Sequence, residues 1–269
     1  MLAGRPKDGA AVLRRLLILL CFCAPPARAG FTDDRPDLEP LFGATPGCFV
    51  LYDVTADRLL LVNPERAKTR YIPASTFKIA NSLIALETGA VRDIDQVVPY
   101  GGRPQAFKAW EKDMPMREAF PASNVPVYQE IARRIGLPRM QAMLQRLDYG
   151  NREAGPVVDR FWLDGPLQIS AVEQARFVTH LAQGRLPVSA ASQAAVREIA
   201  RIEARGGDVL YGKTGWVFGT QPQIGWWVGW VEREGRVYGF ALNIDLQGEQ
   251  DIGKRRQIGE AILRKLELF

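Results

Sequence analysis

A chain of 269 residues, 47% hydrophobic and 24% charged, has the composition of a globular protein built as one large domain or two lobes, which excludes a disordered or low-complexity chain. Its formal net charge is +5, but Arg5, Lys7, Arg14, Arg15 and Arg28 against Asp8 place +4 of that in the first 29 residues and leave about +1 for the rest. The basic balance is therefore no indication of a nucleic-acid partner.

The first element in the chain is a leader. Arg14 and Arg15 precede the apolar run "LLILLCFCA" (16–24), and "PPARAG" follows with Ala27 and Ala29 in small-x-small spacing. Residues 1–29 are predicted to be an export signal cut after Ala29; nine apolar residues are too few to span a bilayer, so no stable membrane insertion is expected afterwards. N-terminal sequencing of the exported protein should read Gly30 first, and retention of Arg14 and Arg15 would contradict it. Cys21 and Cys23 leave with the signal, so Cys48 remains alone and no internal disulfide is expected. In "GCFVLYDV" it reads as a small packed hydrophobe.

"CFVLYDVTADRLLLVN" (48–63) carries two apolar runs around a polar turn, the pattern of a hairpin. "PASTFKIANS" (73–82) opens a helix whose apolar positions include Ile79, Ala80, Leu83, Ile84 and Leu86 until Thr88 and Gly89 end it. Ser75 and Lys78, three apart, share a face of that helix. The pair reads either as a serine near the cap with a solvated lysine, or as a nucleophile with its base. In the second reading apolar surroundings push the amine toward its neutral form.

Helical periodicity dominates from there to about residue 200, in "VPVYQEIARRIG", "PRMQAMLQRLD", "SAVEQARFVTHLAQG" and "SAASQAAVREIARIEA". "DVLYGKTGWVF" (208–218) is a strand, "GWWVGWVEREGRVYGFALNID" (225–245) a hairpin turning at Glu234 and Gly235, and "IGKRRQIGEAILRKLELF" a terminal amphipathic helix. The segment "GTQPQIG" (219–225) carries no readable pattern. Strands at both ends with helices between predict an α/β fold: a central antiparallel sheet flanked by helices, with an inserted, mainly helical lobe.

His180 is the only histidine, lies at a helical position, and reads as structural. No Gly-x-Ser-x-Gly elbow accompanies it, and one histidine with one remaining cysteine gives no metal-ligand spacing, so neither a Ser-His-Asp triad nor a metal site is expected. A hydrolytic base would have to come from Lys, Asp, Glu or Tyr.

After the Ser-x-x-Lys come "SNV" (123–125), "YGN" (149–151) and "KTG" (213–215), each weak alone. In this order they resemble the active-site set of the penicillin-recognising serine enzymes. With "PASTFK", "SNVPVYQE", "FWLDGPLQIS", "KTGW" and "GWWVGWVE", the chain is similar over residues 30–269 to the class D β-lactamases, the oxacillinases. Val125 stands where penicillin-binding peptidases carry Asn, and no Glu is followed four positions later by Asn as in class A.

That resemblance implies a single two-lobed catalytic domain over residues 30–269, exported to the periplasm, and an acyl-enzyme mechanism acting on β-lactam antibiotics. It implies Ser75 as nucleophile and Lys78 as base, N-carboxylated by carbon dioxide or bicarbonate, with no other cofactor. Val125 keeps the base in apolar surroundings, Trp162 donates its indole N–H to the carbamate, and Ser123 relays a proton to the lactam nitrogen. The backbone N–H groups of Ser75 and Trp216 form the oxyanion hole. Lys213, Thr214 and Arg255 take the substrate carboxylate, with Gly215 in the same stretch; Lys254 and Arg256 compete with Arg255 for that part. Tyr149 and Asn151 shape the site without acting chemically. Trp110, Met114 and Met116 either line the entrance or belong to the core. A D,D-peptidase or a β-lactam sensor, acylated but slow to deacylate, is the alternative, and either a monomer or a homodimer is compatible with the sequence.

Overall fold

The computed structural model describes residues 31–269 together with the isolated positions 1 and 4; the predicted export signal, with Cys21 and Cys23, lies outside the described residues. In chain order the strands are β1 (Phe31–Asp34), β2 (Gly47–Asp53), β3 (Arg58–Val62), the two-residue β4 (Arg70–Tyr71), β5 (Val97–Val98), β6 (Met114–Pro115) and β7 (Ile169–Ser170), then β8 (Arg201–Arg205), β9 (Asp208–Val217), β10 (Gln223–Arg233) and β11 (Arg236–Leu246). The helices are α1 (Pro64–Lys68), α2 (Lys78–Glu87), α3 (Met116–Ala119), α4 (Val125–Ile135), α5 (Leu137–Arg146), α6 (Ala171–Ala182), α7 (Ala190–Ala200) and α8 (Lys254–Lys265).

Seven strands form one sheet in the order β1-β3-β2-β11-β10-β9-β8. Both predicted hairpins are present, and the second turns through Glu234 and Gly235 at positive φ (50° and 75°), a turn that follows the right-handed strand twist. Alternation puts Trp226, Val228 and Trp230 of β10 into the core beneath the helical lobe, while Trp227 and Val231 enter the core beneath α8. Both faces of the central strands are thus buried, with α6 on one side and α8 on the other. Cys48 is fully buried in the first core, and burial pushes its thiol up to about 12.

The expected antiparallel sheet flanked by helices is present, and β1 joins its edge in parallel with β3, which makes the whole sheet mixed; four residues are too few for alternation to announce that strand. One expectation is corrected. The helix expected through "ARIEA" stops at Ala200, where Arg201 turns extended (ψ 127°), and Arg201–Arg205 becomes β8, paired to the first residues of β9. Residues with good helix propensity are drawn into a strand by the open edge beside them. Among the described residues no helix is long and apolar enough to cross a membrane.

Candidate active site

The turn before α2 carries the first pair of functional side chains. Ser75 lies in a short 3-10 stretch, Ala74–Phe77, which leads directly into α2 at Lys78. The predicted helix thus starts with a tighter turn, and Ala74 enters it in the left-handed region (φ 48°), a conformation that costs an alanine about 1–2 kcal/mol. Ser75 is half-buried, while Lys78 one turn on is fully buried. Lys78 Nζ donates to Ser75 Oγ at 2.9 Å and lies 5.1 Å from the centre of the Tyr128 ring. Burial, reinforced by the charge of Lys213, pushes the Lys78 amine well below the ordinary lysine range. The solvated-lysine reading of this pair is therefore wrong.

A buried polar chain fixes the turn. Thr76 Oγ1 donates to Pro73 O (2.7 Å) and accepts from Gln174 Nε2 (2.8 Å), and Gln174 Oε1 accepts from the Tyr149 hydroxyl (3.4 Å). Tyr149 also packs edge-on against Phe77, at 5.6 Å between centroids. Asn151 ties down the loop that follows: its N–H reaches Gln168 O, its side-chain oxygen accepts from Gln168 N, and its amide donates to Pro166 O. Gly150 (φ 56°) is required at this crossing, since a Cβ would lie 2.1 Å from Gln168 O. The clipped loop carries Trp162 against Phe77, with ring centroids 5.4 Å apart. Trp162 is fully buried, and its indole Nε1 has no hydrogen-bond partner within the protein. An orphaned buried donor beside the residue preceding Lys78 suits a carbamate on that lysine, because such a donor is costly unless an acceptor meets it.

The second serine–lysine pair closes the site. Ser123 follows α3 in the left-handed region (φ 55°), and Asn124 caps α4 by accepting from Val127 N at 3.0 Å, which starts that helix at Val125. Lys213 Nζ donates to Ser123 Oγ at 2.9 Å and to Thr214 O at 3.0 Å. Lys213 is 4% exposed, and burial together with Arg255 pushes its amine down to about 7. A lysine depressed on folding binds fewer protons in the folded than in the unfolded chain between about 7 and the ordinary lysine value of 10.5. Stability should therefore rise with pH from about 7 to 8.5, above which the Cys48 thiol of the unfolded chain ionises while the buried thiol does not, opposing the rise. Urea unfolding across that range checks the sign, and in Lys213→Met the slope should lessen, with buried Lys78 contributing the remainder in the same direction.

Strand β9 reaches the nucleophile turn through Gly215. A Cβ there would lie 2.9 Å from Pro73 O and 3.0 Å from Thr76 Cγ2, so any side chain forces the strand off the turn. Gly215→Val is expected to cost about 1–3 kcal/mol by overpacking, measured as a lower midpoint in urea unfolding. From Gly212 onward β9 has no second strand on its outer edge, because β8 pairs it only as far as Tyr211. Arg255 Nη1 donates to Gly215 O at 2.8 Å, and burial lowers its guanidinium to about 10. Of the three basic neighbours it alone lines the cleft beside Ser75; Lys254 pairs with Asp251, and Arg256 with Glu260.

These residues surround a cleft of ≈ 320 Å³ whose lining includes Ser75, Ser123, Val125, Thr214, Trp216 and Arg255. Trp110 lines it, whereas Met114 and Met116 are core. Leu163, Phe107 and Phe218 also line it without having been singled out from sequence; the last two are exposed aromatics, which an alternating pattern cannot distinguish from core. His180, on the outer face of α6, does not line it. A larger open depression of ≈ 660 Å³, beside Gln141, Arg152 and Pro166, contains none of the predicted catalytic side chains.

A serine bonded to a buried amine, a second such pair facing it and a cation at the rim can support acyl transfer through a covalent intermediate. The chain matches the penicillin binding protein transpeptidase domain family over residues 47–264. It is 45% identical to the β-lactamase OXA-5 of Pseudomonas aeruginosa, over 81% of this chain and 82% of that one. Identity to the β-lactamase OXA-48 of Klebsiella pneumoniae is 42%, over 83% and 84%, and to the β-lactamase OXA-10 of Pseudomonas aeruginosa 41%, over 92% and 94%. Among solved structures, the class D β-lactamase FUS-1 (OXA-85) of Fusobacterium nucleatum superposes with a TM-score of 0.85 at 37% identity, covering 88% of this chain and all of that one. The chain belongs to the class D β-lactamases, serine hydrolases that act on β-lactams.

Proposed function

We propose that the protein opens the β-lactam ring of penicillins through an acyl-enzyme on Ser75, after export to the periplasm and loss of residues 1–29. The observation that carries this reading is the 2.9 Å hydrogen bond between Ser75 and a fully buried Lys78 whose amine is held toward neutrality.

Ser75 Oγ attacks the lactam carbonyl and gives its proton to the base at position 78. Carboxylation of Lys78 would supply an anionic base that takes that proton and later activates water. Trp162 offers its unpartnered indole N–H to the carbamate, and Val125 at the start of α4 keeps the cleft wall apolar. The carbonyl oxygen collects its developing charge between the backbone N–H groups of Ser75 and Trp216. Ser75 precedes the first hydrogen-bonded residue of its turn, since Thr76 N is the donor to Pro73 O, so its N–H has no helical acceptor. The C–N bond breaks as the Ser123 hydroxyl passes its proton to the departing nitrogen and takes up in its place the proton that the base at position 78 received from Ser75, which frees that base for water; Lys213 is hydrogen-bonded to that hydroxyl. Thr214 and Arg255 take the substrate carboxylate, and Lys213 beneath adds positive charge. Attack of water on the ester restores Ser75. Turnover of benzylpenicillin, followed by loss of lactam absorbance, tests the reading: many equivalents hydrolysed per enzyme support it, and a single stoichiometric burst followed by arrest returns the protein to the peptidase or sensor class.

A further inference from the structure

The segment 219–225 has no pattern in the sequence, yet its last residues build one wall of the cleft. Trp216 of β9 pairs directly with Gly225 of β10, so the position opposite the indole has no side chain. Two consequences follow on that face. A Cβ on Gly225 would lie 2.9 Å from Arg255 Cγ, so its absence lets Arg255 cross the strand to reach Gly215 O. The diagonal neighbour on the same face is Gln223, and its Oε1 accepts from Trp216 Nε1 at 2.8 Å.

The ring so anchored divides two spaces. Trp216 lines the ≈ 320 Å³ cleft containing Ser75 and also an adjoining chamber of ≈ 410 Å³, which ends at Gln105, Gln129, Arg160 and Asp164. Trp216 packs against Phe218 at 5.2 Å, and Phe107 against Trp110 at 4.7 Å. Trp110, Trp216 and Phe218 line both spaces, so an acyl group esterified to Ser75 that enters the chamber runs along these rings. Without the Gln223 acceptor, the indole loses the hydrogen bond that fixes its angle, and a tilt of the ring would change the width of that passage.

We infer that Gln223 is a specificity-determining residue: by fixing the Trp216 ring it sets the wall that admits the acylamino side chain of the substrate to the second chamber. Gln223 acts through Trp216 and touches no reacting atom. The inference rests on the proposed hydrolysis at Ser75.

The test compares benzylpenicillin, which carries an aromatic acyl side chain, with 6-aminopenicillanic acid, which carries none. In Gln223→Leu the ratio of kcat/KM for the first over the second should fall by about five- to tenfold, through KM for benzylpenicillin rather than kcat. Gln223→Glu keeps an acceptor at the same reach and should hold the ratio within about twofold of the unaltered enzyme. The Trp216 indole N–H resonance, assigned with Trp216→Phe, should move in Gln223→Leu and stay near its place in Gln223→Glu. An unchanged ratio with a moved resonance, an equal loss on both substrates, or a Glu variant that behaves as the Leu variant overturns the inference. Absence of turnover by the unaltered enzyme instead overturns the proposed hydrolysis, and the inference with it.

Discussion

Ser75→Ala is expected to abolish covalent labelling by penicillin and to lower turnover by about 10⁶-fold, the order of effect that follows removal of a catalytic serine. The size of the effect follows from the site: Ser123, the second serine that lines the cleft among the described residues, is engaged by Lys213. The fold should survive, because Ser75 is half-exposed and the turn is held by Thr76, Gln174 and Tyr149. Thermal unfolding of the variant within a few degrees of the parent, with labelling absent on a stopped-flow and mass scale, checks both halves. Labelling that persists at Ser123 would move the nucleophile.

The second large effect concerns Trp162. Trp162→Phe keeps a ring against Phe77 and removes only the buried N–H. If that N–H stabilises a carbamate on Lys78, its loss costs a hydrogen bond to a charged group, about 1.5–3 kcal/mol, or roughly ten- to a hundredfold in carbon dioxide retention. Deacylation should slow by a comparable factor in bicarbonate-depleted buffer and recover as bicarbonate is added, at higher concentrations than the parent needs. The pH dependence has a fixed sign. Burial and Lys213 lower the Lys78 pKa, so the amine is neutral and able to react with carbon dioxide above that lowered value and is protonated and inert below it. Activity should thus fall on the acid side, and bicarbonate should restore less of it there. Flat activity across bicarbonate concentrations in both proteins, at controlled pH, would count against carboxylation.

The sequence made some parts of this site readable because each rests on local geometry. Ser-x-x-Lys places two side chains on one turn whatever surrounds them, and the two hairpins announce themselves by alternation around polar turns. The depth of Lys78 was not readable, since it depends on Tyr128 and the helical lobe packed around it. Trp162 and Val125 could be named by resemblance, but the orphaned indole N–H emerges only when the loop after Tyr149 is folded back by Asn151. Arg255 could not be separated from Lys254 and Arg256 until helix phase turned those two toward Asp251 and Glu260. Strands β1 and β8 are not legible in their own residues: both exist because a neighbouring strand offers an open edge. The Trp216–Gln223 contact depends on the β9–β10 register, which leaves Gly225 opposite the indole.

The most direct test is time-resolved mass spectrometry of the protein mixed with benzylpenicillin, with peptide mapping of any adduct. A mass gain of one penicillin on the peptide containing Ser75, which forms within the dead time and then decays as hydrolysed drug appears, is the predicted result. An adduct that stays on Ser75 without decay, or one mapped to another residue, would contradict it.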